Sequence, residues 1–179
     1  MKKYIFIILF SFLGFTLSAQ QEKLSRKEKK EQQRNKDFQD IKTLVDSGEF
    51  EFNATWALPR EGTRINLVTN RGFLNYEAEH LRFYFPFFGE THISTSTNGR
   101  ISYDYEGQWE NYQVSYDDDK RKITITGEAT HNESEHLQFI LKVSYSGYST
   151  LSIVSSFRAR IRYEGFLEAL KVENKLVNK

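Results

Sequence analysis

Residues 122–145 read KITITGEATHNESEHLQFILKVSY, and their alternation decides the fold class. Ile123 and Ile125 alternate with Thr124 and Thr126. After a polar break, Leu137, Phe139, Leu141, Val143 and Tyr145 alternate just as regularly with their neighbours. Successive side chains of a strand point to opposite faces, so a period of two sets one apolar row against a core and the other row toward water. The stretch therefore reads as two strands of an antiparallel sheet, Lys122 to Thr130 and Leu137 to Tyr145.

The same period extends in both directions. Toward the N-terminus, Asp117-Asp118-Asp119-Lys120 forms a turn preceded by strands at Trp109 to Tyr116 and Arg100 to Tyr105, and Asn98-Gly99 is a two-residue hairpin signal. Thr91 to Ser96, His80 to Phe88, Phe73 to Ala78 and Ile65 to Val68 read as further strands, separated by Asn70-Arg71-Gly72 and Arg60-Glu61-Gly62-Thr63. The first strand sets Phe50, Phe52, Ala54, Trp56 and Leu58 on one face and ends at Pro59. Toward the C-terminus, Ser146-Gly147 turns the chain into Leu151 to Ser155 and then Arg158 to Leu167. About ten short strands with no intervening helix specify an all-β domain over residues 49–179, an antiparallel sandwich or an open barrel.

Ahead of it, residues 21–48 form a charged helical arm. Glu22 to Asp46 holds 8 basic and 6 acidic residues without Gly or Pro, with opposite charges four apart at Lys27/Glu31 and Lys36/Asp40. Its first half has no apolar face. Phe38, Ile41, Leu44 and Val45 then give a stripe at helical spacing, and Gly48 supplies a stop. Residues 1–20 read as a secretory signal: Lys2 and Lys3, an apolar stretch from Tyr4 to Leu17, and a small-residue flank at Ser18-Ala19. The stretch is shorter than the ~20 residues that span a bilayer, so cleavage near Ala19 is expected, with no stable membrane insertion afterwards.

Composition excludes whole classes of chemistry. The 25 Lys+Arg and 24 Asp+Glu nearly cancel, which gives no general field for a nucleic-acid backbone. The balance is uneven, however: the arm carries +2, and the residues from Glu49 onward, with 15 basic and 18 acidic, carry −3. With no cysteine, thiol catalysis, thiolate zinc, iron–sulfur sites and the lipidated cysteine of a bacterial lipoprotein are all ruled out. The expected setting is a periplasm or the extracellular space, with an envelope ligand or protein as partner and no cofactor. Stability must come from packing, for which 15% aromatic residues provide bulk.

Several segments carry a resemblance when taken in order. They are Phe52-Asn53-Ala54, Ala57-Leu58-Pro59 with Ile65-Asn66-Leu67, then Phe85-Pro86-Phe87-Phe88-Gly89, then Gly147-Tyr148-Ser149-Thr150-Leu151, and finally Arg158, Ile161, Tyr163, Gly165 and Leu167. Over roughly Glu49 to Leu167 the chain resembles the DUF4251 family, whose central signature is Leu-Pro-Tyr-Phe-Gly. This sequence departs from it with Phe85, Phe87 and Glu90. The resemblance implies an exported protein of Bacteroidetes type. It supplies no catalytic or binding residue, because the family has no assigned activity.

Candidate contact residues come from the rings and the arginines. Leu81, Phe83, Phe85 and Phe87 share one face of a strand whose other face carries Tyr84 and Phe88, so this strand is buried on both sides or exposes a ring surface. Tyr103, Tyr105, Trp109, Tyr112 and Tyr116 add rings with polar tips, suited to sugars or peptides. Arg158, Arg160 and Arg162 fall on one face of the last strand, about 6.8 Å apart, where they can read carboxylates or phosphates or else pair with acids on neighbouring strands.

His131, Glu133, Glu135 and His136 match no metal-ligand spacing and read as a solvated hairpin loop, and Asp117 to Asp119 lack the Gly and distant Glu of a calcium loop. No Gly-x-Ser-x-Gly elbow, His-Glu-x-x-His or phosphate-cradling glycine loop is present. The expected function is therefore non-enzymatic binding of a ligand or protein. Two alternatives remain: a hydrolase of envelope or dietary polymers built on carboxylates such as Asp104, Glu106 and Glu110, and a scaffold tethered through the helical arm.

Overall fold

The alternating segments become ten strands in the computed structural model, which describes residues 25–91, 102–131 and 134–171. One helix, α1 (Arg26–Asp46), precedes β1 (Glu49–Pro59), β2 (Ile65–Asn66), β3 (Gly72–Glu77), β4 (His80–Pro86), β5 (Ser102–Gln108), β6 (Glu110–Asp117), β7 (Lys122–His131), β8 (Glu135–Ser144), β9 (Tyr148–Ser155) and β10 (Ile161–Ala169). The signal sequence, the hairpin at Asn98-Gly99, Glu133 and all but Thr91 of the strand expected at Thr91 to Ser96 lie outside the described residues.

All pairings are antiparallel, in the order β5-β4-β3-β1-β10-β9-β8-β7-β6, with β2 joined to β1. The last strand pairs with the first from Phe50↔Ala169 to Pro59↔Ile161, so the two halves of the chain share one sheet. The sheet curls into a nearly closed barrel, bringing β5 against β7. Of the two architectures that the sequence allows, the open barrel forms.

Its interior is the predicted set of alternating residues. Ile123 and Ile125 on β7, Leu137, Phe139, Leu141 and Val143 on β8, and Ile161, Tyr163 and Leu167 on β10 are all buried. Phe83 packs edge-on against Phe139 at 5.0 Å, and Phe85 lies 4.6 Å from Tyr163. Fully burying one such side chain contributes about 1.5–3 kcal/mol, and no cysteine is needed.

The seam lies between β5 and β6, which are consecutive in sequence and unpaired with each other among the described residues. Trp109, the single residue between them, turns inward there. Its ring meets Tyr76 at 5.3 Å, Tyr112 at 5.1 Å and Phe139 at 6.0 Å. A Cβ at Gly127 would stand 1.8 Å from the Trp109 Nε1, so the missing side chain on β7 is the slot that admits the indole. Ring packing thus replaces ladder hydrogen bonds at the seam.

The first strand departs from its predicted face. Its register shifts between Ala54 and Trp56, leaving Thr55 as the extra residue of a bulge. Phe50, Phe52 and Ala54 face the core as expected, but beyond the bulge Ala57 is buried while Trp56 and Leu58 turn half outward. Gly165 makes the bend possible, because a Cβ there would lie 1.9 Å from the Asn53 carbonyl oxygen.

Two compact units divide the chain between Gln33 and Arg34. In the first, Ser25 and Glu28 form a capping box: the Glu28 amide donates to Ser25 Oγ (3.2 Å) and the Ser25 amide to the Glu28 carboxylate (2.7 Å). In the second, the rest of α1 docks its stripe on the barrel through buried Phe38 and Val45, with Ile41 and Leu44 packed beside them. Lys42 Nζ to Asp118 Oδ1 (3.0 Å) and Arg121 Nε to Asn35 Oδ1 (2.6 Å) fasten the β6–β7 turn to it.

Candidate functional site

The three arginines near the C-terminus separate into two environments. β10 begins only at Ile161, so Arg158 precedes the strand and escapes its alternation, meeting Thr91 in an isolated bridge instead. Arg158 is buried. Its guanidinium donates to Glu135 Oε2 (2.9 Å) and to the Ser102 carbonyl (2.7 Å), and lies 4.4 Å from the Tyr103 ring centroid and 5.6 Å from that of Phe87.

Glu135 is 1% exposed and also takes hydrogen bonds from His131 Nδ1 (3.0 Å) and the Ser155 hydroxyl. Burial pushes its carboxyl up, but the bonds from His131 and Ser155 and the Arg158 charge outweigh burial and hold it below the usual carboxylate range. The expected solvated loop is thus corrected at its two ends. His131 and Glu135 are paired residues of the β7–β8 ladder, inward-facing and 6% and 1% exposed. The signal that finds them is the period of two: Ile123, Ile125, Ala129 and His131 share one parity, as do Glu135, Leu137 and Phe139.

The predicted rings do not form one surface. Phe85, Phe87, Tyr103 and Trp109 are buried in the core, whereas Tyr84, Tyr105 and Tyr112 are half-buried. The Tyr105 hydroxyl donates to the Gln108 carbonyl (2.9 Å), and the Tyr163 hydroxyl to that of Pro86 (2.9 Å). Burial raises the Tyr103 hydroxyl well above its ordinary range; it lies near Ser155 but outside hydrogen-bond geometry. Phe88 and Tyr116 are exposed, Phe88 beside a concavity of about 180 Å³ with Pro59, Arg60 and Ala159.

Arg160 and Arg162 lie on the outer face, both exposed. They line a concavity of about 420 Å³ with Lys122 and Lys142, floored by Ile140 and walled by Tyr148. Arg162 stands opposite Ser152, and Ser152 opposite Ile140, so the concavity crosses β10, β9 and β8 to reach β7. Arg160 Nη2 donates to Ser152 Oγ (3.3 Å). None of these four cations has an ion pair among the described residues and no acid lines the hollow, although Asp117 stands opposite Lys122 in the β6–β7 ladder. Glu164 on the same face is engaged by Arg64 at 2.7 Å, whose guanidinium stacks 4.1 Å over the Trp56 ring that the bulge turned outward.

A second hollow of about 380 Å³ holds Glu110, Glu128 and His136. Glu110 and Glu128 are cross-strand partners, and Asn111 donates to Glu128 (2.9 Å). Asp104 and Glu106 are exposed on β5, where Glu106 meets His80 at 3.3 Å. Among the described residues no three His, Asp or Glu side chains are placed to hold a metal ion.

The family model for a domain of unknown function, DUF4251, matches residues 31–167. The chain belongs to the DUF4251 family. A DUF4251 protein of Bacteroides eggerthii, solved as a crystal structure, shares the fold with a TM-score of 0.56 and 15% identity, over 75% of this chain and 89% of that one. No curated protein matches the chain. The DUF4251 match takes in β1 to β9 and β10 as far as Leu167, and hence both the buried Arg158 cluster and the basic outer hollow.

Proposed function

We propose that this DUF4251 protein is an exported, non-enzymatic binding module that holds an acidic ligand on the outer face of β7 to β10. One observation carries the reading: Lys122, Lys142, Arg160 and Arg162 share a hollow without an acid among its lining. A cation is normally neutralised or spread among acids on a sheet surface, since like charges on neighbouring strands repel. Four gathered in one hollow on a domain that is −3 as a whole cost stability and gain a purpose when an anion arrives. Arginine guanidinium groups supply paired donors to a carboxylate, phosphate or sulfate. The N-terminal signal pattern supports export to the periplasm or beyond.

Nuclear magnetic resonance titration of the mature chain with citrate and with dextran sulfate tests the binding. The expected result is saturable shifts at Lys142, Tyr148, Ser152, Arg160 and Arg162. Absence of binding, or shifts confined to another face, contradicts it. N-terminal sequencing of the protein recovered from cells tests export, with a start near Gln20 expected and a start at Met1 contradicting it.

A second reading, hydrolysis of a polymer, is favoured by Glu110, Glu128 and His136 sharing one hollow. Release of reducing sugar from a glycan panel, lost in Glu128→Gln, is its expected signature. Inactivity on the whole panel counts against it.

A further inference from the structure

The basic hollow does not end at β10. Arg160 and Arg162 also line an adjoining concavity of about 260 Å³ with Arg60, Leu58 and Pro59. Arg60, just past the end of β1, extends the row of cations to a fifth. These five stand on or beside β7, β8, β10 and β1, which with β9 are consecutive neighbours in the sheet. Neighbouring strands lie about 4.8 Å apart, so the row covers about 19 Å across the strands. Beyond Arg60 the next concavity carries Glu61 and Glu90, which close the track with the opposite charge.

A point anion needs one pair of cations. A row this long, with an acidic stop at one end, fits an extended polyanion. Resting on the reading above, we propose that the occupant is an acidic polysaccharide, whose carboxylates meet Arg60, Arg160, Arg162, Lys142 and Lys122 in turn.

The lining between the cations favours sugar over other acidic polymers. Ser144 and Thr150 offer hydroxyl groups that donate and accept, as sugar hydroxyls do. Tyr148, 39% exposed and held edge-on by Phe166 at 5.7 Å, offers one flat ring beside the cations. A single-stranded nucleic acid asks for a series of stacking rings and a strong overall field. Here there is one ring in the hollow and a slightly acidic domain. An anionic membrane surface asks for an apolar rim to insert, and the exposed residues bordering Tyr148 are polar apart from Phe166.

The test is chain-length dependence, measured by isothermal titration of the mature chain with galacturonic acid, a short oligogalacturonate and a long one at low salt. Binding several charges through one chain is expected to make the long oligomer at least about tenfold tighter than the monomer. Arg60→Ser and Lys122→Ser, at the two ends, are expected to remove most of that gain while circular dichroism stays native.

Equal affinity for long and short forms, or no effect of the end variants on the long form, overturns the proposal. So does tighter binding of oligodeoxythymidylate or of phosphatidylglycerol vesicles than of the long oligomer. If citrate and dextran sulfate bind while the oligogalacturonates show no length dependence, the track fails and the anion-binding reading stands. If no anion binds, both fail.

Discussion

Arg158 and the pair Arg160 and Arg162 are two residues apart in sequence and opposite in circumstance. Arg158 is 5% exposed and committed: Glu135, the Ser102 carbonyl and the Tyr103 ring occupy it. Arg160 and Arg162 are exposed and hold no carboxylate among the described residues. The difference is one of strand register. Ser155 Oγ accepts from the amides of both Phe157 (2.9 Å) and Arg158 (3.1 Å), closing a turn that delays β10 until Ile161. A run read as one basic face is therefore one internal brace and two external contacts. The brace bears on stability and the contacts on binding, so the two can be separated by mutation.

The largest effect is expected at the brace. Arg158→Met leaves Glu135 charged and enclosed, and breaking a buried pair in this way costs about 3–5 kcal/mol. Chemical denaturation of the variant should show that loss, and the double variant Arg158→Met/Glu135→Leu should recover much of it. The same cluster sets an acid limit. The Glu135 carboxyl titrates lower in the folded chain than in the unfolded one, so its contribution is complete above the ordinary glutamate range. That contribution disappears as pH falls through the depressed folded value. Glu135→Gln should therefore flatten the dependence of melting temperature on pH below about 4.5.

Next in size are the two places where a missing side chain admits a neighbour. Gly165→Ala drives a methyl group into the Asn53 carbonyl, and Gly127→Ala displaces the indole that fills the seam. Each should cost about 1–3 kcal/mol in equilibrium unfolding, and Gly127→Ala should also change the fluorescence of Trp109.

A smaller effect of opposite sign is expected in the β3–β4 turn. Ala78 (φ 49°) and Glu79 (φ 67°) both occupy the left-handed region there, between the paired residues Glu77 and His80. Replacing them with Asn-Gly should raise stability by about 1–2 kcal/mol, since that turn favours those residues.

Much of this architecture is legible from the period of two. Wherever strands are joined by short turns and one face is buried, alternation marks both the element and its inward residues. β7 and β8 match the predicted strands to within two residues at each end. The bulge at Thr55 was not legible, because the run from Phe50 to Leu58 alternates without a break and the bend depends on Gly165, more than a hundred residues away. Arg158 was hidden for a similar reason. Its alternation with Ile161 and Tyr163 is real in the sequence, but the turn at Ser155 removes it from the strand. The rings were legible as a concentration and not as a place, since the same side chains build a core or a binding face. The outer hollow draws cations from separate strands, so it emerged only with the strand order.

The smallest effect on stability is expected from Arg160→Ser/Arg162→Ser, within about 0.5 kcal/mol of the parent. That variant therefore tests the division of labour most directly, by isothermal titration with the long oligogalacturonate alongside a melting curve. The predicted result is an unchanged melting temperature with affinity reduced at least about tenfold. Undiminished affinity in a fully folded variant would contradict the account.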